Sequence, residues 1–141
     1  MKRLLLAATA LLATLFWLLP VRLAGAAGQA EPETVIKCAE CGMSAKVDSR
    51  FTAMIEQGGS TLYFCDIGDL AAFIERTHPQ EYAASVRDFK SGQWIEAGKA
   101  FFVIDKKAFA SPMGWGAAAF RDREGATGAP LDFETLRKAL R

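Results

Sequence analysis

The chain has 141 residues, with 17 Lys and Arg against 16 Asp and Glu and a formal net charge of +1. So even a balance offers no basic face to neutralise phosphates, which excludes nucleic acid as the expected partner. The length suits one small domain with a modest core, and three cysteines with a single histidine bound the thiol and metal chemistry available to it.

Met1-Lys2-Arg3 precedes an unbroken apolar run from Leu4 to Leu19, and Ala24-Gly25-Ala26 is a cleavage signal, so residues 1–26 read as a cleaved Sec-type signal peptide. The run is about 16 residues long, short of the roughly 20 that a membrane helix needs. Export to the periplasm is therefore expected. Ala26 stands where a lipoprotein signal would carry its acylated cysteine, so no lipid anchor is expected. Without Lys2, Arg3 and Arg22 the mature part holds 115 residues, 14 basic against 16 acidic, and a net charge of −2. Residues 27–34, with two glutamates and Pro32, form an exposed linker, and 35–141 the domain.

The segment Cys38-Ala-Glu-Cys-Gly-Met43 packs two thiols and a thioether into six residues. Gly42 takes positive φ freely, so a turn here can fold Cys41 and Met43 toward one point. Alternation from Arg50 to Gln57, Gly58-Gly59, and Ser60 to Phe64 predict a β-hairpin. Asp66 then caps a helix, with Asp69 at its third position and Ile67, Leu70, Phe73 and Ile74 at helical spacing. Cys65 falls where strand hands over to helix, a position that favours a thiolate. His78-Pro79 ends the helix.

Tyr82 to Phe89, Ser91-Gly92 and Gln93 to Ala97 predict a second hairpin, and Ala100 to Ile104 a buried strand, with Trp94, Phe101 and Phe102 as core candidates. In Ser111-Pro112-Met113-Gly114-Trp115-Gly116, Pro and two glycines hold a Met in a tight loop, where a thioether serves better as a soft ligand than as packing. Ala117 to Phe120 reads as a strand, Arg123 to Ala129 as a Gly-rich loop, and Asp132 as the cap of a short helix carrying Phe133, Leu136 and Leu140. The expected class is α+β. Hairpin, helix and strand are used twice, although the residues themselves show no internal repeat.

Three chemistries fit the residues. Cys38 and Cys41 are a candidate redox pair for a thiol-disulfide oxidoreductase. A 38/41 disulfide, or a zinc ion held by Cys38, Cys41, Cys65 and the single His78, would staple a small exported binding domain. Thiols with the thioethers of Met43 and Met113 would instead hold Cu(I), the one common biological ion that favours thioether sulfur.

Cys38-Ala-Glu-Cys-Gly-Met43, Phe64-Cys-Asp-Ile-Gly-Asp69, Trp94-Ile-Glu-Ala97, and Ser-Pro-Met113-Gly followed by Ala-Ala-Phe120 stand in this order. Together they resemble the NosL family, copper-binding accessory proteins of nitrous oxide reductase maturation, over nearly all of the mature chain. The resemblance implies a periplasmic protein that binds one Cu(I) and is built of two ββαβ-like modules related to the organomercurial lyase fold. It implies a metallochaperone, not an enzyme, with a copper enzyme or its membrane assembly machinery as recipient. The residues that match as copper ligands are Cys38, Cys41, Met43 and Met113, with Cys65 a further candidate. The family's usual lipoprotein cysteine is missing, and the tail after Phe120 is short.

Overall fold

A computed structural model describes residues 34–141. The signal segment 1–26 and all of the linker except Thr34 lie outside the described residues. β1 (Val35–Lys37) and β2 (Ser44–Lys46) pair antiparallel, with Ile36 opposite Ala45. Three residues per strand are too few to show alternation, so the sequence does not predict this pair. The turn expected at 38–43 is its tip, with Gly42 at φ 75.

β3 (Ala53–Gln57) and β4 (Ser60–Phe64) form the expected hairpin, Ala53 opposite Phe64 and Gln57 opposite Ser60. Gly58 and Gly59 both have positive φ, 56 and 78, which matches a two-residue turn to the twist of its strands. The strand starts three residues later than the alternation suggests: the Thr52 hydroxyl Oγ1 donates to the Lys46 carbonyl at 2.9 Å, and the Thr52 N–H donates to the Ser49 carbonyl, so 50–52 close a turn. α1 (Ile67–Thr77) begins at Asp66, whose carboxylate accepts from the Gly68 N–H at 3.1 Å. It ends at His78, in the left-handed region with its N–H donated to Ile74 O.

β5 (Ala83–Arg87) and β6 (Trp94–Glu96) are the second hairpin. β5 also pairs with β3, which gives a four-stranded sheet in the order β4-β3-β5-β6. β7 (Phe101–Ile104) and β8 (Ala117–Phe120) pair separately, and α2 (Phe133–Ala139) follows, capped by Asp132 through the Thr135 N–H at 2.7 Å. Ile55, Phe64, Ile67, Leu70, Ile74, Val86, Phe102 and Leu136 make the fully buried core, each side chain stabilising by about 1.5–3 kcal/mol. Of the aromatic core candidates Phe102 is fully buried; Trp94 is half-buried with the Arg87 guanidinium 4.0 Å over its ring, and Phe101 sits against a smaller cluster around Ala118, Phe120 and Ala126. Among the described residues no helix is long and apolar enough to cross a membrane.

The α+β class is as the sequence implied, and the duplication is sharper than the residues suggested. Each half runs hairpin, hairpin, helix: β1 to α1, then β5 to α2. The tip of the first hairpin in each half has one set of backbone bonds. Cys38 N donates to Met43 O (2.8 Å), Gly42 N to Cys38 O (3.0 Å) and Ala39 N to Tyr63 O (2.8 Å). In the second half Asp88 N donates to Gln93 O (2.8 Å), Gly92 N to Asp88 O (2.8 Å) and Phe89 N to Ala119 O (2.7 Å). Parallel bridges Cys38 to Tyr63 and Asp88 to Ala119 match as well. Asp88, Ser91 and Arg121 thus occupy the places of Cys38, Cys41 and Cys65.

Candidate metal centre

The duplicated backbone sets where the first-half thiols meet. Cys38 and Cys41 lie on the tip of the β1-β2 hairpin, which the Ala39 N–H ties to the end of β4. β4 continues through Phe64 into Cys65, and Asp66 caps α1 at once, so Cys65 is delivered to the same place from the other side. Cys41 Sγ and Cys65 Sγ are 3.5 Å apart. Asp69, one turn into α1, completes the group: its Oδ2 accepts from the Cys38 thiol and from the Cys65 thiol, each at 3.3 Å. One donor atom from each of Cys38, Cys41, Cys65 and Asp69 lies within 4.8 Å of every other.

Cys38 and Cys65 are 3 % and 1 % exposed, and Cys41 is partly exposed beside them. All three are free thiols, so neither the 38/41 bridge nor any other occupies them. Burial, more than any neighbour, raises the Cys41 pKa, and it raises that of Cys65 much further, with Cys41 and Asp69 adding to the rise. Both groups are therefore held as thiols at neutral pH, and a metal that binds them must displace their protons.

The loop expected to present Met113 docks on this group through backbone and ring. The Met113 N–H donates to Asp66 Oδ2 at 3.0 Å, and the Trp115 Nε1–H to Asp69 Oδ1 at 3.0 Å. Asp66 is fully buried; desolvation raises its pKa against the hydrogen bonds from Ser111, Gly68 and Met113 that oppose the rise. The Trp115 ring lies on Gly68: a Cβ built there would be 2.0 Å from its Cγ. Met43 and Met113 are 45 % and 40 % exposed. Met43 is two residues from Cys41 in the same turn, and Met113 is on the loop that the neighbours of Cys65 hold.

Of the sequence candidates, then, Cys38, Cys41 and Cys65 are gathered, and Met43 and Met113 stand on the segments that carry them with half-exposed side chains. From the sequence alone Asp69 is part of a helix start. The signal available was its place: Asp69 lies in the first turn of the helix that Cys65 leads into, four residues on. His78 caps the opposite end of α1, about 14 Å along the helix from Asp69, which removes it from the expected zinc set. The pair Cys38 and Cys41 sits in a hairpin turn with its first thiol buried, not at a helix N-terminus where a disulfide reductase exposes an attacking thiolate.

The family model described as NosL matches residues 29–129. Comparison with curated proteins and with solved structures gives no match.

Proposed function

The chain belongs to the NosL family, and on that membership and the gathered thiols we propose that it is a periplasmic Cu(I) carrier that delivers copper for maturation of a copper enzyme, nitrous oxide reductase. The observation that carries this reading is the meeting of three unpaired thiols from two separate segments, one of them open to solvent. Cu(I) is the cargo, and the reading gives the protein no reaction to catalyse.

Retention without trapping follows from the donors. Cu(I) is satisfied by two or three soft ligands, and the three thiols here lie within 4.8 Å of one another, Cys41 and Cys65 at 3.5 Å. Cys38 and Cys65 hold the ion from the buried side. Cys41 is the ligand that a recipient's thiolate or thioether replaces first, since it is the one an incoming donor reaches. Met43 and Met113, neutral and half-exposed, offer weaker soft donors at the rim through which the ion passes on to the enzyme or its membrane assembly machinery. Because the thiols are protonated, loading releases protons and requires that Cys41 and Cys65 stay reduced.

Anaerobic Cu(I) titration against a competing chelator tests this. One Cu(I) per chain is expected, and the double substitution Cys38→Ser, Met113→Ala should lower affinity at least tenfold. Binding unchanged in that double variant overturns the reading.

A further inference from the structure

We propose that Cys41 and Cys65 are the site of a reversible disulfide in the unloaded protein, and that the sequence neighbours Cys38 and Cys41 are not. Contact and access carry the inference. The Cys41 and Cys65 sulfurs touch at 3.5 Å, and a disulfide is about 2.05 Å long, so closure by about 1.5 Å makes the bond. Cys41 lies on the hairpin tip beside Gly42 and is partly exposed, so it is the thiol that an oxidant reaches. Cys38, three residues away in the chain, is 3 % exposed and gives its thiol to Asp69 Oδ2 at 3.3 Å. Cys65 is 1 % exposed, which closes it to attack from solvent and leaves it placed to resolve a bond first formed on Cys41.

The oxidant is a second disulfide, R–S–S–R, of a small molecule or a thiol-disulfide oxidoreductase. Cys41 Sγ attacks one of its sulfurs; the R–S–S–R bond breaks, a mixed disulfide forms on Cys41, and the first R–S leaves with the Cys41 proton. Cys65 Sγ then attacks Cys41 Sγ; the mixed disulfide breaks, the Cys41–Cys65 bond forms, and the second R–S leaves with the Cys65 proton. Two thiols of the chain are oxidised to one disulfide and R–S–S–R is reduced to two R–SH. The second half of the fold shows what such a bond would do. There the same backbone positions are filled by a self-sufficient knot: Asp88 Oδ2 accepts from the Ser91 hydroxyl (2.5 Å) and N–H (2.8 Å), and Oδ1 from the Arg121 N–H (3.0 Å). Ser91 and Arg121 stand where Cys41 and Cys65 stand, so a 41/65 disulfide ties the first hairpin tip to the end of β4 as the Asp88 knot ties the second tip to the end of β8. It also takes two of the three thiols, so the oxidised chain is closed to Cu(I) until a thiol reductant reopens it, a consequence that rests on the copper reading above.

The metal-free protein, equilibrated with oxidised glutathione, alkylated without unfolding reductant and digested, tests this by mass spectrometry. Cleavage after Glu40 separates Cys38 from Cys41, and cleavage after Lys46 and Arg50 separates both from Cys65, so each of the three possible pairings gives its own peptides. Expected is the loss of two of the three alkylatable thiols, a bond between the Cys41 and Cys65 peptides, and the alkyl group on Cys38. Cys65→Ser, which removes the resolving sulfur, should accumulate one glutathione on Cys41. A 38/41 or 38/65 bond as the main product, three thiols still alkylated, or glutathione on Cys38 in the Cys65→Ser protein overturns the proposal; the result on the unsubstituted chain decides the matter if the variant fails to fold. In the chelator competition the oxidised protein should bind Cu(I) at least tenfold more weakly than the reduced one and recover on reduction. A 41/65 bond that leaves Cu(I) affinity unchanged overturns the copper ligand set and leaves the disulfide standing.

Discussion

Gly68→Ala is the sharpest test of how the Trp115 loop is held against α1. Gly68 is buried in the first turn of the helix, and an added Cβ would lie 2.0, 2.3 and 2.4 Å from Cγ, Cδ1 and Cδ2 of the indole. Carbon atoms rest at about 3.5–4.0 Å, so the ring must withdraw by about 1.5 Å, and it must do so at its base, where the side chain cannot swing aside. Such overpacking is worth about 1–3 kcal/mol of destabilisation. The withdrawal also breaks the 3.0 Å bond from Nε1 to Asp69, a hydrogen bond to a charged group worth about 1.5–3 kcal/mol. The helix gains about 1 kcal/mol from replacing glycine. The balance is a loss of about 1.5–5 kcal/mol, which in a domain of this size lowers Tm by roughly 6–20 °C. Urea unfolding followed by tryptophan fluorescence measures it. The sign should reverse when the indole is removed: in a Trp115→Ala background the same Gly68→Ala change should stabilise by up to about 1 kcal/mol. A Gly68→Ala protein as stable as the parent, or the same destabilisation with and without the indole, refutes the argument.

Asp88→Ala should destabilise by about 2–3 kcal/mol, since three hydrogen bonds converge on that buried carboxylate. Burial alone would raise the Asp88 pKa, but the bonds from Ser91 and Arg121 outweigh it and the net shift is downward. A carboxyl with a depressed folded-state pKa stabilises fully above its unfolded value near pH 4 and loses that contribution as pH falls through the folded pKa. Asp88→Asn should accordingly flatten the stability curve below about pH 4, as urea midpoints across pH 2–5 will show; an unchanged acid slope counts against the knot. Cys65→Ser should weaken Cu(I) at least tenfold in the chelator competition; an unchanged affinity would place Cys65 outside the copper ligand set and leave Cys38, Cys41, Met43 and Met113 to hold the ion.

What was legible in the sequence follows the range of the interaction. The β3-β4 hairpin was readable because Gly58-Gly59 and the flanking alternation act within a dozen residues, and α1 and α2 because Asp66 and Asp132 cap locally. The Cys38 to Met43 turn announced itself through its own chemistry. β1 and β2 were not readable, because three-residue strands are fixed by their attachment to Tyr63 and by no pattern of their own. Asp69 was hidden for a different reason. A carboxylate in the first helical turn has a complete local explanation in the helix dipole, and only the arrival of Cys38 from 31 residues away turns it into part of a cluster.

The duplication shows the same limit from the other side. Cys38, Cys41 and Cys65 align with Asp88, Ser91 and Arg121, three replacements that leave nothing for the eye to match. What the halves share is backbone: Gly42 and Gly92 at φ 75 and 74, each donating to the carbonyl four residues back. The backbone therefore fixes a meeting point between a hairpin tip and a following strand end, and the side chains decide what the meeting point is. Carboxylate, hydroxyl and amide close it with strong short bonds and leave no donor free. A thiol is a weak hydrogen-bond donor and a weak acceptor, so two of them on one carboxylate, with the third against Cys65, hold the first half together less firmly and leave sulfur lone pairs open to a metal. The feature that makes the first meeting point a poor structural knot is the one that suits its four donors to hold a metal.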